Sequence, residues 1–460
     1  MAGGDILDMN VFESKKEFFK EGNTLSYEFR IEQLRKLINA VEKYEKDILN
    51  ALRLDLNKNE YEAYTSEEGI VYKELKMVMK NLRNWMKVKK VKTPIFLQPG
   101  KSYIVPSPKG VVLIISPWNY PFNLAIVPLI GAIAAGNCVI LKPSSKSKNT
   151  SDVISKIIKE TFDENYISCL EGGSKEVDLL LENCRFDHIF FTGSAKVGRE
   201  IMMKAARNLT PVTLELGGKS PAIVWEDANI DHAAKTITWA KFYNGGQTCI
   251  AVDYLLIHED VKNEFIEKMK EYIKLFYGEY GDENISRIID ENRFNRLTEL
   301  MKKGNILIGG KADRERLFIF PTVIDGISIE DEIMKEEIFG PILPVITVET
   351  VENIMEVVEK NPYPLSLYVF TENKDLEKRI IDSVRFGGGC INDAISHFAN
   401  ENLPFGGVGF SGIGRYHGKY SFDEFTHYKS VFEVNSKFNL NLKFPPYDDE
   451  KLKMARRFLK

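Results

Sequence analysis

Two residues in this chain have side chains and neighbours suited to covalent catalysis. Cys249 lies in the run FYNGGQTCIAVD, behind two glycines, and Glu215 lies in the run TLELGGKSP. A thiolate is the strongest nucleophile among the common side chains, and a glycine-bordered turn lets a substrate and a backbone N–H approach the sulfur. A carboxylate between two leucines is expected to have a raised pKa and to act as a base near neutral pH. The pair predicts a two-step reaction through a thioester; the alternative is that Cys249 is a small buried hydrophobe.

Glycine patterns indicate where a cofactor phosphate would bind. In HIFFTGSAKVGREIM, Gly193 and Gly198 follow an apolar run at the start of a helical pattern, where backbone N–H groups and the helix dipole favour a phosphate. The run GVGFSG (407–412) has the G-x-G-x-x-G spacing of dinucleotide-binding turns. It follows no predicted strand, so we expect a tight loop instead. The run GGKS (217–220) ends like a P-loop, but Thr213 stands where the first glycine is required, so no ATP site is expected.

A lysine ends one of the apolar runs. The run CVILKPS is typical of a buried parallel strand, and Lys142 lies at its carboxyl end, where α/β proteins bind ligands. A lysine there can donate to ribose hydroxyls. The alternative is an ordinary surface lysine, because lysine is among the most exposed residue types.

The elements that must position these residues alternate between strand and helix. Residues 12–92 carry apolar residues at helical spacing, which predicts amphipathic helices covering one face of a sheet. Helical segments, one with Ser151 or Asp152 as its N-cap, separate three apolar runs that predict buried parallel strands at 111–116, 138–144 and 188–194. This alternation predicts a doubly wound, Rossmann-type α/β domain.

A second alternating stretch follows Glu215. Helices are predicted between strands at 221–225, 254–259, 305–310, 341–348 and 365–371. This pattern predicts a second α/β domain, with Cys249 at the end of one of its helices. From Pro404 onwards the sequence is rich in glycine and then in aromatic residues.

The composition excludes several classes of function. The chain has 460 residues, enough for two or three domains and a large core without disulfides. Its five cysteines are scattered with no C-x-x-C pair, which argues against a disulfide framework or a zinc ribbon, and no metal site is expected. The net charge of −4 gives no global field for nucleic acid or an anionic membrane. Without a signal-like start or a long apolar window, a soluble cytoplasmic protein with a small-molecule partner is expected.

Seven runs occur in the order seen in a known family. The chain resembles aldehyde dehydrogenases in SPWNYPFN (116–123), LKPS, FTGS, LELGGKSP, GQTC, EEIFGP (336–341) and LPFGGVGFSG (403–412). The short N-terminus, the runs NYPFNL and TPVTLELGGKSP, and YHGK at 416–419 resemble most the class 3 branch, which includes fatty and aromatic aldehyde dehydrogenases. Unlike the membrane-anchored members of that branch, this chain is expected to have no C-terminal hydrophobic anchor.

The resemblance implies catalytic roles for three residues. Cys249 resembles the nucleophile that attacks the aldehyde carbon to give a thiohemiacetal. The amide of Asn119 and the backbone N–H of Cys249 resemble an oxyanion hole, although Asn119 alone reads equally well as a turn residue before Pro121. Glu215 resembles the base that activates water to hydrolyse the thioester and release a carboxylate.

The resemblance also implies a site for NAD or NADP. Glu337 and Phe339 resemble the pair that holds the nicotinamide ribose and ring, although Glu337 alone could be a solvated charge. The other implied cofactor-binding residues are Lys142 for a ribose and Trp118, Gly193, Ser194 and Gly198 around the ring and pyrophosphate.

The sequence departs from the family pattern beside the ribose lysine. The family usually carries a glutamate three residues after that lysine, where its carboxylate accepts the ribose hydroxyls and repels a 2′-phosphate. Here the position is Ser145, followed by Lys146 and Lys148. Loss of the negative charge and addition of cations predict that NADP is accepted at least as well as NAD.

The resemblance implies an aldehyde dehydrogenase-like division of the chain. We expect an NAD(P)-binding domain at 1–98 and 110–214, a catalytic domain at 215–403, and bridging segments at 99–109 and 404–460. A homodimer is implied, with SYIVPSP and the segment after Ser421 at the subunit contact. The C-terminal tail is expected to form a short basic amphipathic helix, solvated or packed on a subunit rather than on a membrane.

The implied reaction is NAD(P)-dependent oxidation of an apolar aliphatic or aromatic aldehyde to a carboxylic acid. By resemblance, Tyr64, Tyr120 and Thr248 line the substrate tunnel. One alternative is a coenzyme A-acylating aldehyde dehydrogenase, against which Glu215 argues because acylating relatives generally lack that base. A cysteine hydrolase would need a histidine partner for Cys249, and none of the six can be placed there from sequence. A non-catalytic protein on the same fold is the remaining alternative.

Overall fold

A computed structural model describes residues 3–279, 285–437 and 443–459 of the chain. Its helices are α1 Gly3–Lys20, α2 Tyr27–Leu56, α3 Glu60–Ala63, α4 Gly69–Trp85, α5 Asn123–Ala135, α6 Lys148–Thr161, α7 Ser174–Asn183, α8 Ala195–Ala206, α9 Ile230–Phe242, α10 Glu259–Tyr277, α11 Glu291–Met301, α12 Glu332–Lys335, α13 Val351–Lys360, α14 Lys374–Ser383, α15 Lys419–Glu424 and α16 Asp449–Leu459. Its strands are β1 Lys89–Val91, β2 Lys101–Pro108, β3 Val111–Ile115, β4 Cys138–Lys142, β5 Ile167–Cys169, β6 His188–Thr192, β7 Val212–Glu215, β8 Pro221–Val224, β9 Tyr254–His258, β10 Asn305–Ile308, β11 Ala312–Asp313, β12 Phe318–Ile319, β13 Thr322–Asp325, β14 Ile342–Val348, β15 Ser366–Phe370, β16 Gly388–Ile391, β17 Gly412–Ile413 and β18 Thr426–Glu433.

The first half of the chain builds a six-stranded sheet in the order β17-β7-β6-β3-β4-β5. The pairs from β7 to β5 are parallel, and β17 joins the edge antiparallel to β7. Every residue of β3, β4 and β6 is buried, because helices cover both faces of the sheet. The three predicted strands and the Rossmann-type α/β architecture are therefore confirmed.

The second half builds a seven-stranded sheet in the order β10-β13-β14-β9-β8-β15-β16. All five strands predicted for this half are present, and only the edge strand β10 runs antiparallel to its neighbour. The sheet adds two strands that the sequence analysis did not predict, β13 and β16. Cys249 lies in the segment between α9 and β9.

The start of α6 corrects one prediction. The helix begins at Lys148 rather than at Ser151 or Asp152. Asp55, at the end of α2, accepts hydrogen bonds from the backbone N–H groups of Asn149 and Thr150 at 3.1 and 2.8 Å. A carboxylate from a distant helix satisfies the exposed N–H groups, so the helix needs no capping residue of its own.

A small three-stranded sheet, in the order β1-β2-β18, unites two segments far apart in sequence. Strand β18 pairs with β2 antiparallel over eight residues, from Thr426 opposite Pro108 to Glu433 opposite Lys101. Among the described residues, no helix is both long enough and apolar enough to span a bilayer.

Candidate active site

The turn that carries Cys249 is shaped by glycines. After α9 the chain makes a short turn in which Gly245 and Gly246 have φ of +61° and +71°. A Cβ on Gly246 would overlap the carbonyl group of Gly340, so only glycine fits there. The turn leaves Cys249 half-buried rather than enclosed.

Two opposing influences act on the pKa of the Cys249 thiol. Burial raises its pKa well above the ordinary value, and the carboxylates of Glu337 and Glu215 raise it further when ionised. The backbone N–H groups of Cys249 and Ile250 act in the other direction, because they hydrogen-bond to the sulfur. The resting sulfur is therefore a neutral thiol with N–H donors directed at the place where negative charge would develop.

Glu215 ends β7 as a buried and unsatisfied carboxyl group. Neither of its side-chain oxygens has a hydrogen-bond partner among the described residues. Burial, and then the nearby charge of Glu424, raises its pKa well above the ordinary value. The direction of this shift confirms the prediction made from the flanking leucines. A buried carboxyl without protein partners is free to bond to water or substrate.

Asn119 ties two loops together. Its side-chain amide donates to the carbonyl of Gln247 at 3.0 Å, two residues before Cys249. The backbone carbonyl of Asn119 accepts from the side chains of Asn244 at 2.8 Å and Lys58 at 3.3 Å. These bonds fix Asn119 against the turn that carries Cys249.

A buried ion pair supports this junction. Lys58 and Glu67 are both fully buried and lie 2.7 Å apart. Glu67 also accepts the backbone N–H groups of Phe122 and Asn123 at 3.1 and 2.9 Å, so it holds the segment that follows Asn119. The sequence analysis missed both residues, because neither belongs to a motif and each is an ordinary charged residue in a charge-rich segment.

Cys249 and Glu215 line the same cavity. Its volume is about 440 Å³, and its walls are mainly apolar. Tyr120 and Thr248 line it as well, and their hydroxyls lie 2.5 Å apart. The remaining wall includes Tyr61, Thr65, Ile70, Trp239, Tyr243, Ile395, Phe398, Phe405 and Tyr416. The structure thus brings together the two reactive groups and two of the three residues expected to contact the substrate.

The third of those residues, Tyr64, is not part of the cavity wall. Residues Tyr64–Glu68 form a turn of π-helix, from which Thr65 and Ser66 face the cavity. The ring of Tyr64 lies instead close to Gly69, where no side chain competes for the space, and Tyr64 is 43% exposed. Tyr61, one helical turn earlier, is the tyrosine of this helix that reaches the cavity.

The carboxyl ends of β4 and β6 form the second part of the site. Lys142 is buried at the end of β4 and donates to the carbonyl of Pro143 at 2.6 Å; burial lowers its pKa. Gly193 follows β6, and Ser194 is the N-cap of α8, accepting the N–H of Val197 at 3.4 Å. A Cβ on Gly198 would lie 2.6 Å from Leu216, so this glycine lets α8 approach the sheet closely.

Glu337 and Phe339 lie in the segment between α12 and β14. A Cβ on Gly217 would overlap the carboxyl group of Glu337, which therefore lies directly against that glycine. Burial, followed by the charge of Asp253, raises the pKa of Glu337 to about 8. The rings of Phe339 and Trp118 are 5.4 Å apart in an edge-to-face arrangement.

Arg293 is a member of this group that the sequence analysis missed. Its guanidinium lies 4.7 Å from the ring centroid of Trp118 and 5.7 Å from that of Phe339. Cation–π contacts of this kind hold aromatic rings in fixed orientations. No motif marks Arg293, which lies in the first turn of α11.

Ser145 lies in an exposed loop after Lys142. Lys146, the next residue, forms an ion pair with Asp290 at 2.6 Å. This cation is therefore paired with a carboxylate from the second α/β unit.

The chain combines a Rossmann-type sheet, a glycine turn at the sheet edge, and a cavity that contains a cysteine and a buried carboxyl group. This combination defines a class of protein, the dinucleotide-dependent oxidoreductases. The chain belongs to the aldehyde dehydrogenase family, whose profile matches residues 9–431. It is an NAD(P)-dependent enzyme that oxidises aldehydes.

Over 460 residues the chain is 48% identical to the 4,4'-diaponeurosporen-aldehyde dehydrogenase of Staphylococcus aureus, covering 98% of this chain and 100% of the relative. It is 43% identical over 448 residues to aldehyde dehydrogenase family 3 member A2 of Pongo abelii, covering 96% and 92%. The solved substrate-bound state of Staphylococcus aureus AldH has a TM-score of 0.96 at 47% identity, covering 98% and 99%. These matches confirm the class 3 resemblance, and none of them is named as a coenzyme A-acylating enzyme.

Proposed function

We propose that the chain oxidises apolar aldehydes to carboxylic acids by a hydrolytic route in which Cys249 is the nucleophile and Glu215 the base. The observation that carries this proposal is that both side chains line one apolar cavity. The sulfur of Cys249 bonds to the aldehyde carbon, and its proton leaves the site. Loss of hydride from that carbon converts the thiohemiacetal to a thioester, and water activated by Glu215 then cleaves the C–S bond to give the carboxylate.

Asn119 and the backbone N–H of Cys249 stabilise the oxyanion in this scheme. The amide of Asn119 already bonds to Gln247, two residues before the nucleophile, which supports a fixed orientation. The N–H groups directed at the Cys249 sulfur support the same idea. Preorganised donors of this kind typically contribute about 10²–10³ in rate each.

The residues at the sheet edge fit a dinucleotide. Gly193 and Gly198 leave space beside the N-terminus of the twelve-residue helix α8, which suits a pyrophosphate. Ser194 begins that helix and Lys142 lies close by to donate to a ribose. At the other end Glu337, Phe339 and Trp118 suit the nicotinamide ribose and ring. When bound, the nicotinamide supplies the hydride acceptor for the oxidation.

The proposed acceptance of NADP depends on the absence of a negative charge at Ser145. Ser145→Glu is therefore expected to lower kcat/KM for NADP relative to NAD by about tenfold or more. The reason is that a carboxylate facing the 2′-phosphate is a like-charge contact that costs several kcal/mol. Initial rates with both cofactors measure the ratio, and Ser145→Ala is the control that removes the hydroxyl without adding charge.

Asp290→Asn tests the same site from the other side. It releases Lys146 from its ion pair, and kcat/KM for NADP is expected to rise while that for NAD stays constant. A wild-type enzyme with strong NAD preference, or a cofactor ratio unmoved by Ser145→Glu, contradicts the proposal.

The apolar wall of the cavity supports an apolar substrate. The relative from Staphylococcus aureus is named for 4,4'-diaponeurosporen-aldehyde, which agrees with an apolar aldehyde here. Along a series of straight-chain aldehydes, kcat/KM is expected to rise about three- to fourfold for each added methylene, because burying one contributes about 0.8 kcal/mol. The increase is expected to stop once the cavity is filled.

Phe398→Ala, in the cavity wall, is expected to lower kcat/KM for a long-chain aldehyde and to leave acetaldehyde oxidation almost unchanged. Phe410→Ala is the matched control, since Phe410 is 61% exposed and does not line the cavity. Equal kcat/KM for short and long aldehydes in the wild type would contradict an apolar substrate. The absorbance of the NAD(P)H formed, at 340 nm, gives the rates.

The small sheet of β1, β2 and β18 supports a homodimer. It carries exposed Tyr428 and Phe432 on β18, as expected of a surface that pairs with a second copy. The segments 99–109 and 404–460 are then bridging elements around a cofactor domain at 1–98 and 110–214 and a catalytic domain at 215–403. Five cysteines without disulfides agree with a reducing, cytoplasmic compartment.

A further inference from the structure

Each turnover must dispose of protons. Oxidation of an aldehyde by water and NAD(P)⁺ gives a carboxylate, NAD(P)H and two protons. In the proposed function, on which this inference rests, the proton taken from water passes to Glu215. That carboxyl group is buried and has no hydrogen-bond partner among the described residues, so it must pass the proton on before the next cycle.

A second carboxylate lies behind Glu215. Thr213 and Glu215 are on the same face of β7, since side chains alternate along a strand. The hydroxyl of Thr213 donates to Oε1 of Glu424 at 2.5 Å. Glu424 therefore lies on the side of the sheet to which Glu215 points, and its charge raises the pKa of Glu215.

Two glycines, Gly406 and Gly414, lie between these carboxylates, beside the side chain of Thr213. A Cβ on Gly406 would lie 3.2 Å from Oε1 of Glu215, and a Cβ on Gly414 would lie 3.1 Å from Oε1 of Glu424. The two glycines also contact each other, because a Cβ on Gly406 would overlap the carbonyl of Gly414. The route from one carboxylate to the other thus passes along glycine backbone.

A chain of hydrogen bonds from Lys109 and His188 ends at Glu424. Lys109 can only donate, so Nδ1 of His188 accepts at 3.1 Å, and the ring proton is on Nε2, 2.8 Å from the hydroxyl of Thr213. That hydroxyl in turn donates to Glu424. Each donor in this chain thus points along it towards the carboxylate, and the backbone N–H of Arg415 donates to Oε2 of Glu424 at 3.3 Å.

Glu424 also reaches solvent. It lines an open surface depression of about 460 Å³ formed largely by the glycines of 407–414, and its side chain is 21% exposed. The charged and titratable groups that face it are Lys109, His188, Glu215, Arg415 and, on its own helix, Tyr420 and Asp423.

We propose that Glu424 accepts the proton from Glu215, through water beside Gly406 and Gly414, and releases it into this depression. The O–H bond of Glu215 breaks as one forms on Glu424, and the proton then passes to solvent, so both carboxylates return to their starting state. Glu424 acts through Glu215 and does not touch the substrate.

Glu424→Gln tests this proposal with p-nitrophenyl acetate, which acylates a thiol without any hydride transfer. The burst of p-nitrophenolate measures acylation, and the later steady rate measures thioester hydrolysis with return of Glu215 to its ionised form. We expect an unchanged burst and a steady rate lowered by about tenfold or more. Glu424→Ala is expected to behave in the same way and to recover its rate when formate is added.

Asp423→Asn is the matched control, because Asp423 lines the same depression and bonds to Lys419 at 2.6 Å. The pH profile separates proton transfer from a purely electrostatic effect. Removing the charge of Glu424 lowers the pKa of Glu215. If Glu424 acts only through its charge, the acid limb of the steady hydrolytic rate therefore shifts to lower pH and the plateau rate is unchanged. If Glu424 accepts the proton, the plateau rate itself falls.

An intact plateau, parallel loss of burst and steady rate, or equal loss in Asp423→Asn would overturn the proposal. Failure of the proposed function is a separate result, because the wild-type enzyme would then show no burst and no NAD(P)H with an aldehyde. Melting temperatures of the variants verify that each one folds.

Discussion

Cys249→Ala is expected to abolish aldehyde-dependent NAD(P)H formation, with kcat lower by about 10⁴-fold or more, because the covalent route requires a sulfur and no other side chain can replace it. The binding cavity and the cofactor edge remain, so the affinity for the dinucleotide, measured by fluorescence titration, should be nearly unchanged. A loss of kcat without a loss of cofactor binding separates a chemical role from a folding role.

Cys390→Ala is the matched control for this variant. Cys390 is also half-buried, its thiol lies 3.5 Å from Nδ1 of His397, and burial raises its pKa to about 11. It is not part of the cavity wall, and its removal should leave kcat within about twofold, as for most changes away from a site. Appreciable turnover by Cys249→Ala, or equal loss in Cys390→Ala, would contradict the assignment of the nucleophile.

The thiol also predicts a pH dependence for alkylation. Because burial raises the pKa of Cys249, the fraction of thiolate near neutral pH is small, and it grows as the pH rises towards that raised pKa. Inactivation by iodoacetamide should therefore accelerate steadily through the alkaline range. Since alkylation consumes the nucleophile, Cys249→Ala should take up no label at this position.

The sequence predicts best where burial on both faces fixes the residue types. Strands β3, β4 and β6 read as continuous apolar runs because helices cover the sheet on each side, and their bounds were predicted to within a few residues. Strand β16 was missed, because it begins with two glycines and lies half-buried at the sheet edge, so it carries no apolar run. Strand β13 has only four residues, between Pro321 and Gly326.

Parts of the site could not be predicted from the sequence, because contacts between residues far apart in the chain create them. Cys249 and Glu215 stand out through chemistry and apolar or glycine neighbours, whereas Glu424 is one more acidic residue until folding places it beside Thr213. The N-terminus of α6 was misplaced for a similar reason, since the group that caps it, Asp55, comes from another helix. The position of Tyr64 depends on a π-helical turn, which side-chain periodicity does not predict.

Glu215→Gln is expected to separate the two halves of the reaction. Glutamine fills nearly the same volume but cannot accept a proton, so the first turnover should still reduce one cofactor per active site, and later turnovers should slow by about 10²-fold or more. The acyl group should then remain on Cys249, where mass spectrometry of the intact enzyme detects it.

Glu68→Gln is the matched control, because Glu68 is a second buried glutamate with no cavity contact, and burial raises its pKa to about 7. The pH dependence of hydrolysis gives an independent test. Since burial raises the pKa of Glu215, the base is lost as the pH falls through that raised value, and the wild-type hydrolytic rate should fall with it. The Glu215→Gln variant should lose this acid limb.

The same variant distinguishes water from a thiol as the final acceptor. If Glu215 serves water, coenzyme A added to the acylated Glu215→Gln enzyme should restore little turnover. Rapid discharge by coenzyme A, together with a wild-type enzyme that stalls without it, would instead support the acylating alternative. Loss of the first turnover in Glu215→Gln would place Glu215 earlier, as the base that activates the Cys249 thiol, because hydride loss could then not begin.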